Sequence, residues 1–266
     1  MTGEQRVELL RDADLDVLGR LTTASNAAYL VRIIATSARG VDRDPTHPAA
    51  HAVDDIPEEQ LAVYKPVAGE RPLVDFPPET LHRREAAAWH VMDALGWGLV
   101  PPTVIRDGPY GVGSVQQFVA HDPRLHYFVL AEQGTPVVHE RLRQMAVFDL
   151  IVNNADRKAG HVLARRPQIE DERVTAEIRL IDHGVCFHVE DKLRTVAWEL
   201  AGSSLDAERP AVTRLVSRFS TELEPRLVPL LADDEIDALR ARLSAVAALD
   251  VLPPPRGDRP YPWPLI

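Results

Sequence analysis

Ile151-Val-Asn-Asn-Ala-Asp-Arg-Lys-Ala-Gly-His-Val-Leu163 is a polar loop with an acid, Asp156, set between an apolar helix and a short apolar strand. It is answered by Leu180-Ile-Asp-His-Gly-Val-Cys-Phe187, an apolar strand that ends on a second carboxylate, Asp182, with a glycine just beyond. The two acids fall at the ends of neighbouring strands, about 26 positions apart. Such a pair suits one task. One carboxylate accepts a proton from an attacking hydroxyl, and the other holds a hard divalent cation against phosphate oxygens.

Upstream of the loop, His139–Val152 has the period of a helix, with Leu142, Met145, Ala146, Asp149 and Ile151 near one side. Downstream, residues 162–182 read as a hairpin whose charged turn spans Arg165–Arg173. From Pro210 the pattern is helical again, over Val212–Glu222, Glu224–Leu231 and Asp233–Ala248, the last capped by Asp233 or Asp234. The proline-rich tail from Pro253 to Pro264 cannot be helical, and Trp263 in it marks either a strap on the surface or a flexible end.

The N-terminal half reads differently. Residues 14–20 and 28–34 form two strands of a hairpin with the small polar tip Leu21-Thr-Thr-Ala-Ser-Asn-Ala27. That tip is either an ordinary turn or a cover of hydroxyls and backbone N–H groups over phosphates. Residues 36–58 show no apolar period and read as a mobile insertion, in which His47 and His51 are solvated or metal-binding. Leu61–Val67 is a strand containing Lys65, and a helix follows from Pro78 to about Leu95. Its apolar stripe is Leu81, Ala88, Met92 and Leu95, and Glu85 falls on that stripe. An inward carboxylate needs a partner, here Lys65 or a neighbouring Arg83 or Arg84. Strands 100–105 and 114–119 complete an antiparallel sheet with one helix, and Gln117–Asp122 crosses to a mostly helical second lobe. The division expected is an N-lobe over 1–119 and a C-lobe over 120–266, an α+β fold.

Bulk properties narrow the partners. The 266 residues are 45% hydrophobic, enough for a real core, and carry a formal charge of −10. An acidic balance argues against nucleic acid and against residence on anionic lipid. Cys186 is the single cysteine, which excludes an intrachain disulfide and a thiolate zinc cluster. The polar start and the lack of any run near the roughly 20 apolar residues of a bilayer span point to a cytoplasmic protein with no membrane span.

Hairpin with polar tip, strand lysine, helix glutamate, linker, acid loop, and strand-end acid come in the order of the protein-kinase-like superfamily. The chain most resembles its phosphatidylinositol 3-/4-kinase-like and HipA-like branches, and an actinobacterial group of phosphatidylinositol-kinase-like proteins, over about residues 14–200. That resemblance implies a two-lobed kinase fold, ATP with Mg or Mn as cofactors, and transfer of the γ-phosphate to an alcohol group. It makes Lys65 the ligand of the α- and β-phosphates and Glu85 its helix partner. Thr23, Ser25 and Asn26 would cover the phosphates, and Gln117, Phe118 and Val119 would meet adenine along the linker. Asp156 would be the catalytic aspartate, Arg157 the arginine that follows it in lipid kinases, and Lys158 a cation on the γ-phosphate. Asp182 would chelate the metal, in an Asp-His-Gly where kinases carry Asp-Phe-Gly. Arg194, which has no firm counterpart in the family, would buttress the region, and His183 is either structural or a fixture of the acid loop.

One position departs from the pattern. Five residues after the catalytic aspartate, kinases carry an asparagine on the second Mg²⁺, whereas this chain has His161. Imidazole suits Mn²⁺ better and must be neutral to ligate, so a ligand role predicts activity that falls at acid pH. The other reading is a hydrogen bond within the loop. Three functions remain in competition: a kinase acting on a hydroxyl of a protein or small molecule, with self-phosphorylation at Thr22, Thr23 or Ser25; a nucleotide-binding pseudokinase or scaffold; and a nucleotidyl (AMP) transferase.

Overall fold

The computed structural model describes residues 3–21, 26–34 and 55–266. Its chain forms two compact units, one of residues 1–82 with 101–119, the other of residues 83–100 with 120–266.

The first unit is a five-stranded antiparallel sheet in the order β1-β2-β3-β5-β4. Its strands are β1 (Asp14–Arg20), β2 (Tyr29–Ile34), β3 (Leu61–Pro66), β4 (Thr103–Gly108) and β5 (Gly111–Gln117). Alternation decides the faces. Val31, Ile33, Ala62, Tyr64, Val104 and Val115 line one side with Leu10 and Ala13 in a single core. Leu10 belongs to a helix that the sequence reading left unassigned, α1 (Gly3–Asp12), whose terminal carbonyls at Leu10 and Ala13 are capped by the Arg106 guanidinium. The paired positions Leu30 and Val63, Val63 and Gln116, and Lys65 and Ser114 occupy the opposite face. Lys65 is therefore on the side away from α1.

Helix α2 (Leu81–Leu95) begins where the Glu70 carboxylate accepts the backbone N–H of His82 at 3.0 Å. A negative charge there satisfies orphan donors and complements the helix dipole. From Arg83 onward α2 belongs with the second unit, because Ala87, Ala88, Val91, Met92 and Leu95 are buried in that unit's core. The helix that the sequence reading assigned to the N-lobe thus follows its apolar stripe elsewhere.

The second unit holds α3 (Tyr127–Gln133), α4 (Pro136–Val152), the hairpin β6 (Val162–Glu170) and β7 (Arg173–Leu180), then α5 (Arg209–Arg218), α6 (Glu224–Leu227) and α7 (Asp233–Ala247). A π-helical turn, Phe219–Leu223, joins α5 to α6. The charged segment Arg165–Arg173, expected as the hairpin's turn, is strand except at Asp171-Glu172. Pairing runs out to Glu170 opposite Arg173, leaving the two-residue turn Asp171-Glu172 at φ +48° and +62°. Positive φ at both positions matches the right-handed twist of a tight hairpin, so the ladder extends and the charges stand on its solvent-facing end.

Candidate active site

The acid loop exists because α4 stops sharply. Asn153 takes the left-handed conformation, φ +53°, which asparagine tolerates better than most residues. Its side chain then ties down the segment after β7. The amide nitrogen donates to the carbonyls of His188 (2.9 Å) and Glu190 (2.6 Å), and its oxygen accepts the N–H of Lys192 at 2.9 Å. Asn154 turns the chain again, accepting the Asp156 N–H on its side-chain oxygen at 3.0 Å.

Beneath the loop lies a buried polar network. Arg157 and Asp149 are fully buried and joined by a forked ion pair, with contacts of 3.0–3.2 Å from both Nε and Nη2. Arg157 Nη1 reaches the Ile181 carbonyl at 3.1 Å, just before Asp182, and Nη2 lies 2.8 Å from His183 Nε2. A guanidinium can only donate, so His183 Nε2 is the acceptor and its proton sits on Nδ1. The His183 backbone N–H in turn donates to Glu85 Oε2 at 3.0 Å. One network thereby ties α4, the acid loop, the end of β7 and α2. Arg157, expected among the catalytic groups, is held in this interior and serves as a tie, because its charge is fully engaged by Asp149. The sequence places Asp149 only on the helix's inner side. A carboxylate on a face otherwise made of Leu, Met and Ala was the signal available for it.

Asp156, Lys158, His161 and Asp182 lie on the open side of that network. Lys158 Nζ stands 3.0 Å from Asp156 Oδ2, and His161 Nε2 stands 3.3 Å from Asp182 Oδ2. Burial raises the proton affinity of the Asp156 carboxyl, Lys158 lowers it, Asp182 raises it further, and Arg157 lowers it. The net shift is upward. Asp182 has φ +61°, a left-handed turn that lets the chain leave β7 and bring its carboxylate beside His161. Arg194 buttresses the loop through its backbone: its N–H donates to the Asn154 carbonyl and its carbonyl accepts the Arg157 N–H, both at 2.9 Å.

Thr23 and Ser25, like Thr22, His47 and His51, fall outside the described residues, as does most of the 36–58 insertion. Asn26 uses its side-chain oxygen to accept the Arg71 N–H at 2.9 Å, which closes the base of the tip. Gln117 and Phe118 donate their N–H groups to the carbonyls of Pro102 and Leu61, which leaves their carbonyls and not their N–H groups for a base, and Val119 is buried. Among the described residues no helix is long and apolar enough to cross a membrane.

No family model matches the chain. It is 38% identical to protein Rv2133c of Mycobacterium tuberculosis over 288 aligned positions, covering 96% of this chain and 94% of that protein. A shorter match, 31% over 123 positions, joins 39% of this chain to 22% of phosphatidylinositol 4-kinase gamma 8 of Arabidopsis thaliana, so the chain matches about a fifth of that kinase's length. Among solved structures, a Golgi casein kinase with Mn and ADP bound superposes at a TM-score of 0.55 and 13% identity, covering 92% of this chain and 74% of that one. The kinase CtkA of Helicobacter pylori superposes at 0.50 and 9% identity, over 91% and 94%. The fold is α+β and protein-kinase-like.

Proposed function

The chain belongs to the family of the mycobacterial protein Rv2133c, and we propose that it is an ATP-dependent phosphotransferase acting on a hydroxyl. The observation that carries this reading is the Asp156 carboxylate, whose proton affinity is raised by burial and whose oxygen is met by Lys158 at 3.0 Å. A base of raised pKa removes a proton more readily at the moment the hydroxyl attacks, and an adjoining cation offsets charge on the group in transfer.

His161 and Asp182 fit a divalent cation. Two ligands on adjacent corners of an octahedron of radius about 2.1 Å stand about 3 Å apart, and this nitrogen and oxygen are 3.3 Å apart. Among the described residues no three His, Cys, Asp or Glu side chains gather as a metal cage, so phosphate oxygens and water would complete the shell. A cation held there would neutralise charge developing on those oxygens. The mixed nitrogen and oxygen pair favours Mn²⁺ more than an all-oxygen pair would. Lys65 is proposed to contact the nucleotide phosphates, Asn26 and its neighbours Thr23 and Ser25 to cover them, and residues 117–119 to face the base. Glu85 holds the start of the Asp182-His183-Gly184 turn by accepting the His183 N–H. The acceptor is a hydroxyl of a protein or small molecule, with Thr22, Thr23 and Ser25 as candidate self-phosphorylation sites.

ATP labelled on its terminal phosphate, offered with Mg²⁺ and Mn²⁺ in parallel, tests this reading. Wild type and Asp156→Ala are compared, alone and with cell lysate. Label should appear in protein or small molecule with wild type, and fall by about 10²–10⁴-fold in the variant. No label under either metal, with ATP still raising the melting temperature, would mean nucleotide binding without transfer. Label carried only from the α-phosphate would mean nucleotidyl transfer.

A further inference from the structure

We propose that the C-terminal strap, residues 260–265, is a positioning element of the reaction centre that holds the backbone on both sides of Asp156. This rests on the phosphotransferase reading for its consequence, but on hydrogen bonds of the second unit for its substance. The strap docks at two places. The Pro260 carbonyl accepts the Thr195 N–H at 3.0 Å and the Trp198 indole N–H at 2.7 Å, and the Leu265 carbonyl accepts the Ala159 N–H at 2.8 Å.

Those donors are not surface groups. Ala159 is 0% exposed and Thr195 is 4% exposed. A buried N–H must find an acceptor, so the strap completes the hydrogen bonding of the acid loop and does not merely coat it. The same conclusion follows from the loop's own donors. Ala155 N–H goes to the Val185 carbonyl, Asp156 N–H to the Asn154 side chain, Arg157 N–H to the Arg194 carbonyl, and Ala159 N–H to Leu265. Thr195, held by Pro260, directly follows the residue that holds Arg157. Both rails that flank Asp156 therefore lean on the strap.

Its composition suits a fixed part. Pro260, Pro262 and Pro264 restrict the chain before it docks, which lowers the entropy lost on ordering. Pro262 is buried, whereas Tyr261 and Trp263 remain exposed, so the seat is made by a proline ring and two carbonyls and the aromatic rings face outward. A general base must stay within hydrogen-bond reach of the hydroxyl it serves, and a displacement of about 1 Å costs about 100-fold in rate.

Pro262→Asp, which puts a charge in the buried seat, and Trp198→Phe, which removes one donor to Pro260, test the proposal in the full chain. Two quantities are measured: amide hydrogen exchange at Ala159 and Thr195, and the steady-state rate of label transfer as kcat and KM for ATP. Pro262→Asp should speed exchange at both amides and lower kcat by about 10- to 100-fold, with KM for ATP within about twofold. Trp198→Phe should show the same split more weakly, and it decides the matter if the aspartate variant does not fold. Faster exchange with unchanged kcat, or a loss shared equally by KM for ATP, would overturn the positioning role. Unchanged exchange would overturn the strap itself. A wild-type chain that transfers nothing would sink the phosphotransferase reading, while the exchange measurement would still decide whether the strap holds the loop.

Discussion

Burial of the Asp156 carboxyl raises its proton affinity, Lys158 opposes that, and Asp182 reinforces it. An acid that binds its proton more tightly folded than unfolded stabilises the fold fully below its unfolded pKa of about 3.9 and loses that contribution as pH rises through the folded value. At neutral pH the charged form therefore opposes folding. Asp156→Asn should melt higher than wild type at pH 7, and the gap should close as pH falls toward about 4. Melting at or below wild type at pH 7 would contradict the upward shift. Such a cost is what the proposed transfer role of Asp156 would require, the charge then serving the reaction and not the fold. Arg157 shows the opposite economy, with its charge fully matched by Asp149 and two carbonyls, at the service of the loop's shape.

Among the elements, the end of α4 does the most to shape the site. Asn153 combines a left-handed backbone with three side-chain hydrogen bonds to residues 188–192. Asn153→Ala loses those bonds and places an alanine where φ is positive, for a loss of about 3 kcal/mol from three bonds at about 1 kcal/mol each, with about 1–2 kcal/mol more from the backbone. Asn153→Gly relieves only the backbone part. Urea denaturation should thus rank wild type above glycine and glycine above alanine, and an alanine variant as stable as glycine would show that the left-handed turn carries no strain. The β6–β7 hairpin obeys similar local logic. Its turn is at Asp171-Glu172 because both take positive φ there, although neither is a glycine.

At the scale of the molecule, two units with separate cores share the candidate residues. Lys65 and the tip belong to the first, and Glu85, Asp156, Lys158, His161 and Asp182 to the second. The formal charge of −10 means that long-range attraction does not bring a polyphosphate in, so local cations must do it. A ligand bound only by the folded chain stabilises it by about 2.7 kcal/mol at 100 times its Kd. For a chain of this size each kcal/mol raises Tm by roughly 2–4 °C. ATP with Mn²⁺ at that excess should therefore raise Tm by several degrees, and Lys65→Ala should shrink the shift. A full shift in that variant would remove Lys65 from the nucleotide site.

Much was legible in the chain itself because it depends on near neighbours. Strands at 14–20, 28–34 and 61–67 show the alternation of a half-buried sheet, and the helix through Glu85 shows its stripe. The polar loop between two apolar runs had to lie at the end of secondary structure, and that alone singles out Asp156 and Asp182 as candidates. Other features depend on which distant segment arrives to satisfy a buried group. Asp149 matters because Arg157 folds back on it, and α1 because the sheet needs a cover for Tyr64 and Val115. Glu85 meets the His183 N–H, 98 positions away. The tail, readable as strap or as loose end, is a strap because it brings the Leu265 and Pro260 carbonyls to the buried donors Ala159 and Thr195. Local pattern decides what an element is. Tertiary structure decides which buried polar groups find each other, because that cost is settled only once water is excluded.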